Sequence, residues 1–413
     1  MQPSLSKETK LDKRSLRLLF LLSRFLDGGI DTVLLEYVNH LADHLHYDVT
    51  LGIAICYGDL EVYRPKLSPR VKVVYFNQSP FLTRIARQRI EKKASLFAKS
   101  IDETLCVPLR RLATQRGICK LSQQADVIID FDCCAYAFLH HIRKRKIAFF
   151  HFSFNEVLKN NPKRMNRIRK GLTAYDKVVT ISKAMCEEGR EMFPQFKEKF
   201  ILLYNAKDEQ LLAKYAKEPI DSPLIRQPYL LAVERLEESQ KDLSTLIRAY
   251  SLLVHEHHIS EGLYIIGKGK DETQLKQLAK TLQVADKVVF LGFQANPLPW
   301  ILHCKIFVHS AKFEGLPTVL IEALLLDKLI VATDCPTGPS EILDHGRCGL
   351  LTPVGNAPAF AAAIHQLLLD NDLQKQLLSA VKEHKKVFNL NHIDHQLHAL
   401  FLGETMHEMI QKK

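Results

Sequence analysis

Short apolar runs alternate with longer amphipathic stretches along most of the chain. In the first half the runs fall at 16–22, 49–55, 71–75, 127–130, 147–150 and 177–181. They are rich in Val, Ile, Leu and Phe with few polar breaks, the pattern of parallel strands buried on both faces. Between the first two lies a glycine turn, Asp27-Gly28-Gly29-Ile30-Asp31-Thr32, and then a helical spacing of apolar residues over 33–45. The stretch 206–228 carries Pro219, Pro223 and Pro228 and reads as a linker. A second series of runs follows at 229–233, 263–266, 288–291, 306–309 and 329–332, and the chain from about Pro358 is helical. The spacing predicts an α/β protein of two doubly wound domains, 1–205 and 229–413, with the last helices free to pack back on the first domain. Ligands of such sheets bind outside the carboxyl ends of the strands. If the two edges face one another, the site is a cleft between the domains.

One segment concentrates the candidate chemistry: Lys312-Phe313-Glu314-Gly315-Leu316-Pro317-Thr318-Val319-Leu320-Ile321-Glu322-Ala323. A buried run ending at His309-Ser310 precedes it. A helix is predicted to open with Pro317 at its first position, where a missing N–H costs nothing. The N–H groups of that first turn attract an anion such as a phosphate. Glu322 sits about five residues inside, so roughly 7–8 Å from the helix start. That span fits a phosphate and the sugar hydroxyls next to it. Glu314 stands at the mouth of the same site. Upstream, Arg235 and Lys241 fall between the first strand of the second domain and its first helix. Two cations there meet the charge that a diphosphate leaving group develops.

The 413 residues suffice for two full cores, and 46% hydrophobic with 25% charged residues is ordinary for a globular protein. The formal charge of +11 is not ordinary and points to an anionic partner. Nine cysteines without a C-x-x-C pair indicate neither a zinc knuckle nor a redox dithiol. An odd count with no secretory signal fits a reducing cytosol. The apolar N-terminal run is broken by Arg17 and Arg24 and is far too short to span a bilayer.

Taken in order, these motifs resemble retaining glycosyltransferases of family four. The residues that carry the likeness are Arg235 with Lys241, Gly267-Lys268-Gly269, Glu314 and Glu322 as E-x7-E, and Asp334-Cys335-Pro336-Thr337-Gly338-Pro339-Ser340-Glu341. In the first domain Gly28-Gly29, His151 and Val179 to Ser182 fit the expected positions. The resemblance implies the GT-B fold, two facing Rossmann-like domains with a cleft between them. It implies that Arg235 and Lys241 bind the donor diphosphate and that Glu322 holds the nucleotide ribose. Glu314, with the backbone of Gly315, Leu316, Pro317 and Thr318, would address the donor sugar and its phosphates. Gly28 and Gly29 would let the backbone approach the reacting centre, and His151 would reach the sugar or the incoming hydroxyl. Base choice would rest on backbone near Gly292 and Phe293. One departure is Glu234, where family members commonly have glycine. A carboxylate there must point away from the diphosphate or alter the strand end.

The implied activity is transfer of a hexose or N-acetylhexosamine from a nucleotide-diphosphate sugar, a UDP-sugar by preference, to a glycan or lipid-linked acceptor. The segment from Asp334 to Glu341 resembles enzymes that build bacterial lipopolysaccharide and surface polysaccharide. This implies a cytoplasmic enzyme at the inner face of the bacterial inner membrane. Retention would proceed by front-side attack with the leaving phosphate as base. The rival readings are a nucleotide-sugar epimerase on the same fold and a non-catalytic nucleotide- or RNA-binding protein.

Other signals weigh less. Asp130-Phe131-Asp132 has the form of a metal-binding D-x-D but ends a strand of the first domain, where turn chemistry accounts for it. No metal and no cofactor is expected. Gly267 and Gly269 lack the third glycine of a dinucleotide fingerprint, since residue 272 is Glu. The basic stretch 81–100 mixes Phe81, Leu82, Ile85, Ala94 and Phe97 with six cations and could lie on an anionic membrane. No nucleic-acid-binding module is recognisable, so nucleic acid is not expected as a partner.

Overall fold

A computed structural model of the protein describes residues 15–403. The ends of the two predicted domains, 1–14 and 404–413, lie outside the described residues. The first seven strands are β1 (Arg17–Leu22), β2 (Asp48–Ile55), β3 (Lys72–Asn77), β4 (Val127–Asp130), β5 (Arg145–Phe150), β6 (Lys177–Thr180) and β7 (Phe200–Leu202). They form one sheet in the order β3-β2-β1-β4-β5-β6-β7. The next six are β8 (Tyr229–Val233), β9 (Gly262–Ile266), β10 (Val288–Gly292), β11 (Ile306–His309), β12 (Leu329–Thr333) and β13 (Leu350–Thr352), in the order β10-β9-β8-β11-β12-β13. β1 pairs in parallel with β2 and β4, and β8 with β9 and β11. Both sheets therefore reverse strand order beside their first strand, the doubly wound arrangement. In chain order between β7 and β8, the expected linker 206–228 contains a helix, Glu209–Ala216, and a short 3-10 turn, Pro223–Arg226.

The chain divides into two compact units. One comprises the chain up to Asp27 together with Tyr37–Ile147; the other joins Gly28–Glu36 to the chain from Ala148 onward. The core of the second sheet is continuous. Leu230 and Ala232 of β8, Leu263 and Ile265 of β9, and Val308 of β11 pack with Leu246 and Tyr250 of the helix Leu243–His255 and Phe360 and Ile364 of the helix Ala357–Leu369. These strand residues share one face of the sheet; Leu231, Tyr264 and Phe307, which point to the opposite face, are buried too, so both faces are covered, as the unbroken apolar sequence requires. That packing fixes the strand ends whose loops carry the candidate site.

Candidate functional site

The loops of the site leave the carboxyl ends of β8, β9, β10, β11 and β12. The loop after β8 carries Glu234 and Arg235. Glu234 is buried, and its carboxylate accepts the Ser310 N–H at 3.0 Å and lies 2.9 Å from His309 Nδ1. The residue that departs from the family pattern thus turns inward. Arg235 turns outward: its side chain is 62% exposed, with Glu237 at 3.8 Å.

Two glycines allow this loop. Gly267 has φ +144°, and a Cβ there would run into the Glu234 carbonyl; a Cβ on Gly269 would run into that of Leu236. The backbone bonds Glu234 N–H to Ile266 O (2.9 Å), Leu236 N–H to Lys268 O (3.1 Å) and Gly267 N–H to Gly292 O (2.9 Å) knit three strand ends together. Gly292 has φ +68°, and Phe293 beside it is half exposed with the Lys268 ammonium 4.7 Å from its ring centre. Gly292 and Phe293 therefore belong to the same rim as Arg235.

The segment from Gln240 to Asp242 packs on the loop after β11. Lys312 N–H donates to Gln240 O (2.8 Å) and Asp242 N–H to Ser310 O (3.1 Å). Lys241 is ion-paired with Glu314, and His309 Nε2 lies 3.6 Å from the same carboxylate. Burial pushes the Glu314 carboxyl up, but Lys241 and His309 outweigh it and hold it down at about 2. Burial likewise draws the Lys241 ammonium down, and Glu314 with Glu234 holds it above its usual value. The cluster is a near-neutral buried pair at the root of the loop, and the ammonium has three donors of which Glu314 uses one.

The helix that follows is Thr318–Leu325, and Pro317 caps it with ψ 108°. Pro317 therefore stands just before the first helical position, not in it: its extended ψ turns the chain out of the helix. The N–H groups of Thr318 and Val319 lie in the first turn, ahead of the helical ladder. The loop from Glu314 to Pro317 is braced by the segment after β12. Glu314 N–H donates to Pro336 O at 2.6 Å, and the Thr337 hydroxyl donates to the carbonyls of Glu314 (3.1 Å) and Gly315 (2.7 Å). Gly338, at φ +94°, leaves no room for a Cβ against Gly315 O and the Leu316 Cα. Leu316 itself is buried. On the other side, a Cβ on Gly315 would meet His151 O at 2.7 Å, so His151 lies against this loop. A Cβ on Gly29 would come within 3.7 Å of the Thr318 hydroxyl, which puts the glycine turn at the same helix start.

The glycine turn differs from expectation. The helix predicted over 33–45 is Gly29–Asp43, so Gly29 is inside it. The Gly28 N–H donates to the Asp31 carboxylate at 2.8 Å, half of a capping box, and is not available to an anion. The Glu341 carboxylate, at the end of the motif that begins at Asp334, accepts the N–H groups of Lys183 (2.7 Å) and Ala184 (2.9 Å) at the start of the helix Lys183–Met192.

Glu322 lies at the fifth residue of its helix, as its spacing predicted, but in company the sequence did not announce. Its carboxylate is 2.9 Å from the Lys207 ammonium, which also lies 2.7 Å from Glu36. No periodic pattern marks Lys207; the signal would have been a lysine set between Ala206 and Asp208 just past a buried strand.

In the first unit, Asp130 accepts the N–H groups of Cys134 (3.0 Å) and Ala135 (2.9 Å), while Asp132 accepts the N–H (2.9 Å) and the hydroxyl of Ser23. Ligand atoms of Asp130, Asp132 and Cys134 lie within 4.8 Å of one another. Burial, with Asp132 and Asp130 adding to it, raises the Cys134 thiol well above its usual range. Through these bonds the two acids serve the turn after β4.

Residues 218–384 match the family model described as glycosyl transferases group 1. The chain is 31% identical over 214 residues to the N-acetylgalactosamine-N,N'-diacetylbacillosaminyl-diphospho-undecaprenol 4-alpha-N-acetylgalactosaminyltransferase of Campylobacter jejuni, covering 52% of this chain and 56% of that one. It is 31% identical over 159 residues to the lipopolysaccharide core biosynthesis glycosyltransferase LpsE of Rhizobium meliloti, covering 38% and 43%. The chain thus spans about half the length of these relatives. Crystal structures of HepE from Anabaena, with UDP and with UDP-glucose, superpose with a TM-score of 0.71 at 17% and 18% identity, over 94% of this chain and 100% of that one. The fold is GT-B, built of two Rossmann-like α/β domains.

Proposed function

We propose that the protein is a retaining glycosyltransferase that moves a hexose or N-acetylhexosamine from a UDP-sugar to a glycan or lipid-linked acceptor in lipopolysaccharide or surface-polysaccharide synthesis. One observation carries the reading. The Lys241–Glu314 pair, the helix start at Thr318, and the rim of Arg235 and Phe293 share one carboxyl edge, at the switch point of the second sheet. That is where a doubly wound sheet binds its ligand. The relatives' names add the chemistry: one acts on a diphospho-undecaprenol glycan, one builds lipopolysaccharide core, and HepE binds UDP.

In this reading Arg235 and the free donors of Lys241 hold the diphosphate, with the first-turn N–H groups of the helix. Glu314 keeps Lys241 in place and faces the sugar with Gly315. Glu322 takes the ribose. His151 stands beside Gly315 for the sugar or the acceptor hydroxyl. The acceptor oxygen attacks the anomeric carbon on the face the diphosphate leaves, and its proton passes to the departing phosphate oxygen. The cations act as the charge develops, where they are worth most. No metal is required. UDP release from a panel of UDP-sugars plus acceptor tests this. Arg235→Ala and Lys241→Ala are expected to lower turnover about 10²–10³-fold, the loss typical of one such donor, and EDTA to leave wild-type turnover intact. Turnover abolished by EDTA, or an epimerised donor formed without acceptor, contradicts it.

A lipid-linked acceptor calls for an enzyme at a membrane, and no described helix is long and apolar enough to cross one. We place the protein in the cytoplasm, on the anionic inner face of the inner membrane. The first unit supports this with an apolar, cationic surface. Phe81 (61% exposed), Leu96 (83%) and Phe97 (77%) stand in solvent, on and after the helix Pro80–Ile90. Arg84, Lys92, Lys99 and Arg111 are exposed nearby in sequence. Sedimentation with anionic vesicles at low salt should carry the wild type down and leave a Leu96→Ser/Phe97→Ser variant in solution. A wild type that stays in solution removes the membrane from the account.

A further inference from the structure

Three ionisable side chains meet beside the helix Thr318–Leu325, and the donor reading uses only one of them. Lys207 follows β7 and is 2% exposed. Its ammonium lies 2.7 Å from Glu36 Oε1 and 2.9 Å from Glu322 Oε1. Its backbone is clamped on both sides: its N–H donates to Phe388 O at 2.8 Å, and its carbonyl accepts the Leu390 N–H at 3.0 Å. The stem is buried and the peptide is fixed, so the ammonium has little freedom. Lysines are almost never buried this fully without a partner, and here one cation serves two acids from two helices. Burial pushes the Glu36 carboxyl up to about 7; Lys207 opposes this, and Glu322 and Asp208 reinforce it. Glu36 Oε2 is buried without a hydrogen-bond partner. Burial draws Lys207 down, but Glu322 and Glu36 hold it above its usual value. One acid of the cluster is thus the readily protonated member, and the cation remains to orient the other.

We propose that Lys207 is a positioning residue for the donor: braced against Glu36, it fixes the Glu322 carboxylate so that its remaining lone pairs accept the two vicinal hydroxyls of the nucleotide ribose. The inference rests on the donor-site reading and adds a residue to it. A carboxylate offers about four acceptor sites. One lies on Lys207, which leaves enough for both hydroxyls, and these point at the diol together only if the group cannot rotate. Glu322 alone, on a helix, has three side-chain torsions to fix. The ion pair to a clamped lysine fixes them before the ligand arrives, which is the condition for reading a diol rather than merely tolerating it.

The test compares equilibrium binding of UDP and 2′-deoxy-UDP to the full chain. The wild type is expected to prefer UDP by about tenfold or more, the worth of a hydrogen bond to a charged group. Lys207→Met should bring the two nucleotides within about twofold, and Lys207→Arg should restore most of the preference. Should Lys207→Met alone not fold, since it strands two buried acids, Glu36→Leu/Lys207→Met removes one acid with the cation and carries the same expectation. General destabilisation weakens both nucleotides alike and leaves the ratio unmoved. A folded variant lacking Lys207 that keeps the wild-type preference overturns the proposal, as does a wild type that binds both nucleotides equally. A wild type that binds neither overturns the donor reading itself.

Discussion

Glu314 carries the densest set of interactions at the site, and its charge is tied to pH. Lys241 and His309 hold its carboxyl at about 2, against a usual value near 4.5. A depressed carboxyl contributes stability that is fully present above its unfolded value and is lost as pH falls through the folded one. Urea midpoints should therefore fall as pH drops from 4.5 towards 2, and Glu314→Gln should flatten that slope. The same change strands the Lys241 ammonium and should cost about 3–5 kcal/mol at neutral pH, the penalty for breaking a buried pair. An unchanged midpoint at pH 7 would mean that the pair is solvated. At this scale the sequence was an uneven guide. Glu314, Glu322, Arg235 and Lys241 stand out in the sequence because their spacing about a strand end and a helix start resembles a family motif. Glu36, Lys207 and the inward turn of Glu234 were not, because pairing in the interior depends on partners 171 and 76 positions away.

The elements show why the loop after β8 can present Arg235 at all. Gly267 combines φ +144° with a Cβ path blocked by a carbonyl, whereas Gly292, at φ +68°, has nothing within 4 Å of its would-be Cβ. Gly292→Ala should cost about 1–2 kcal/mol, from backbone strain alone. Gly267→Ala adds a backbone collision to that strain, so it should cost more and also weaken nucleotide binding by displacing Arg235. Thermal unfolding of both variants with and without UDP checks the order; equal costs would show that the strand ends are not locked together. The strands themselves were legible because burial on both faces leaves long apolar runs. β7 and β13 were not, each being three residues long. The apolar spacing places the start of the helix Gly29–Asp43 four residues late, because two glycines and a threonine at its start are poor helix formers, and the Asp31 cap overrides them.

For the whole molecule, the sheet orders matter more than any one loop. Each sheet reverses beside its first strand, and in the second the reversal lies between β8 and β11, the two strands followed by Arg235 and Lys241 and by Glu314 and the helix of Glu322. The alternation of strands and helices made that architecture readable without coordinates, since parallel crossovers obey one handedness and short connections. Sugar, linkage and acceptor lie beyond it, because they depend on loop backbone. The account's central claim is that this edge grips a diphosphate. Calorimetric titration of UDP and UMP against the wild type and Lys241→Ala tests it most directly. The account predicts that the wild type binds UDP about tenfold or more tighter than UMP, and that Lys241→Ala loses much of that preference, Arg235 and the helix start keeping the remainder. A folded Lys241→Ala protein that still favours UDP as strongly as the wild type would contradict it.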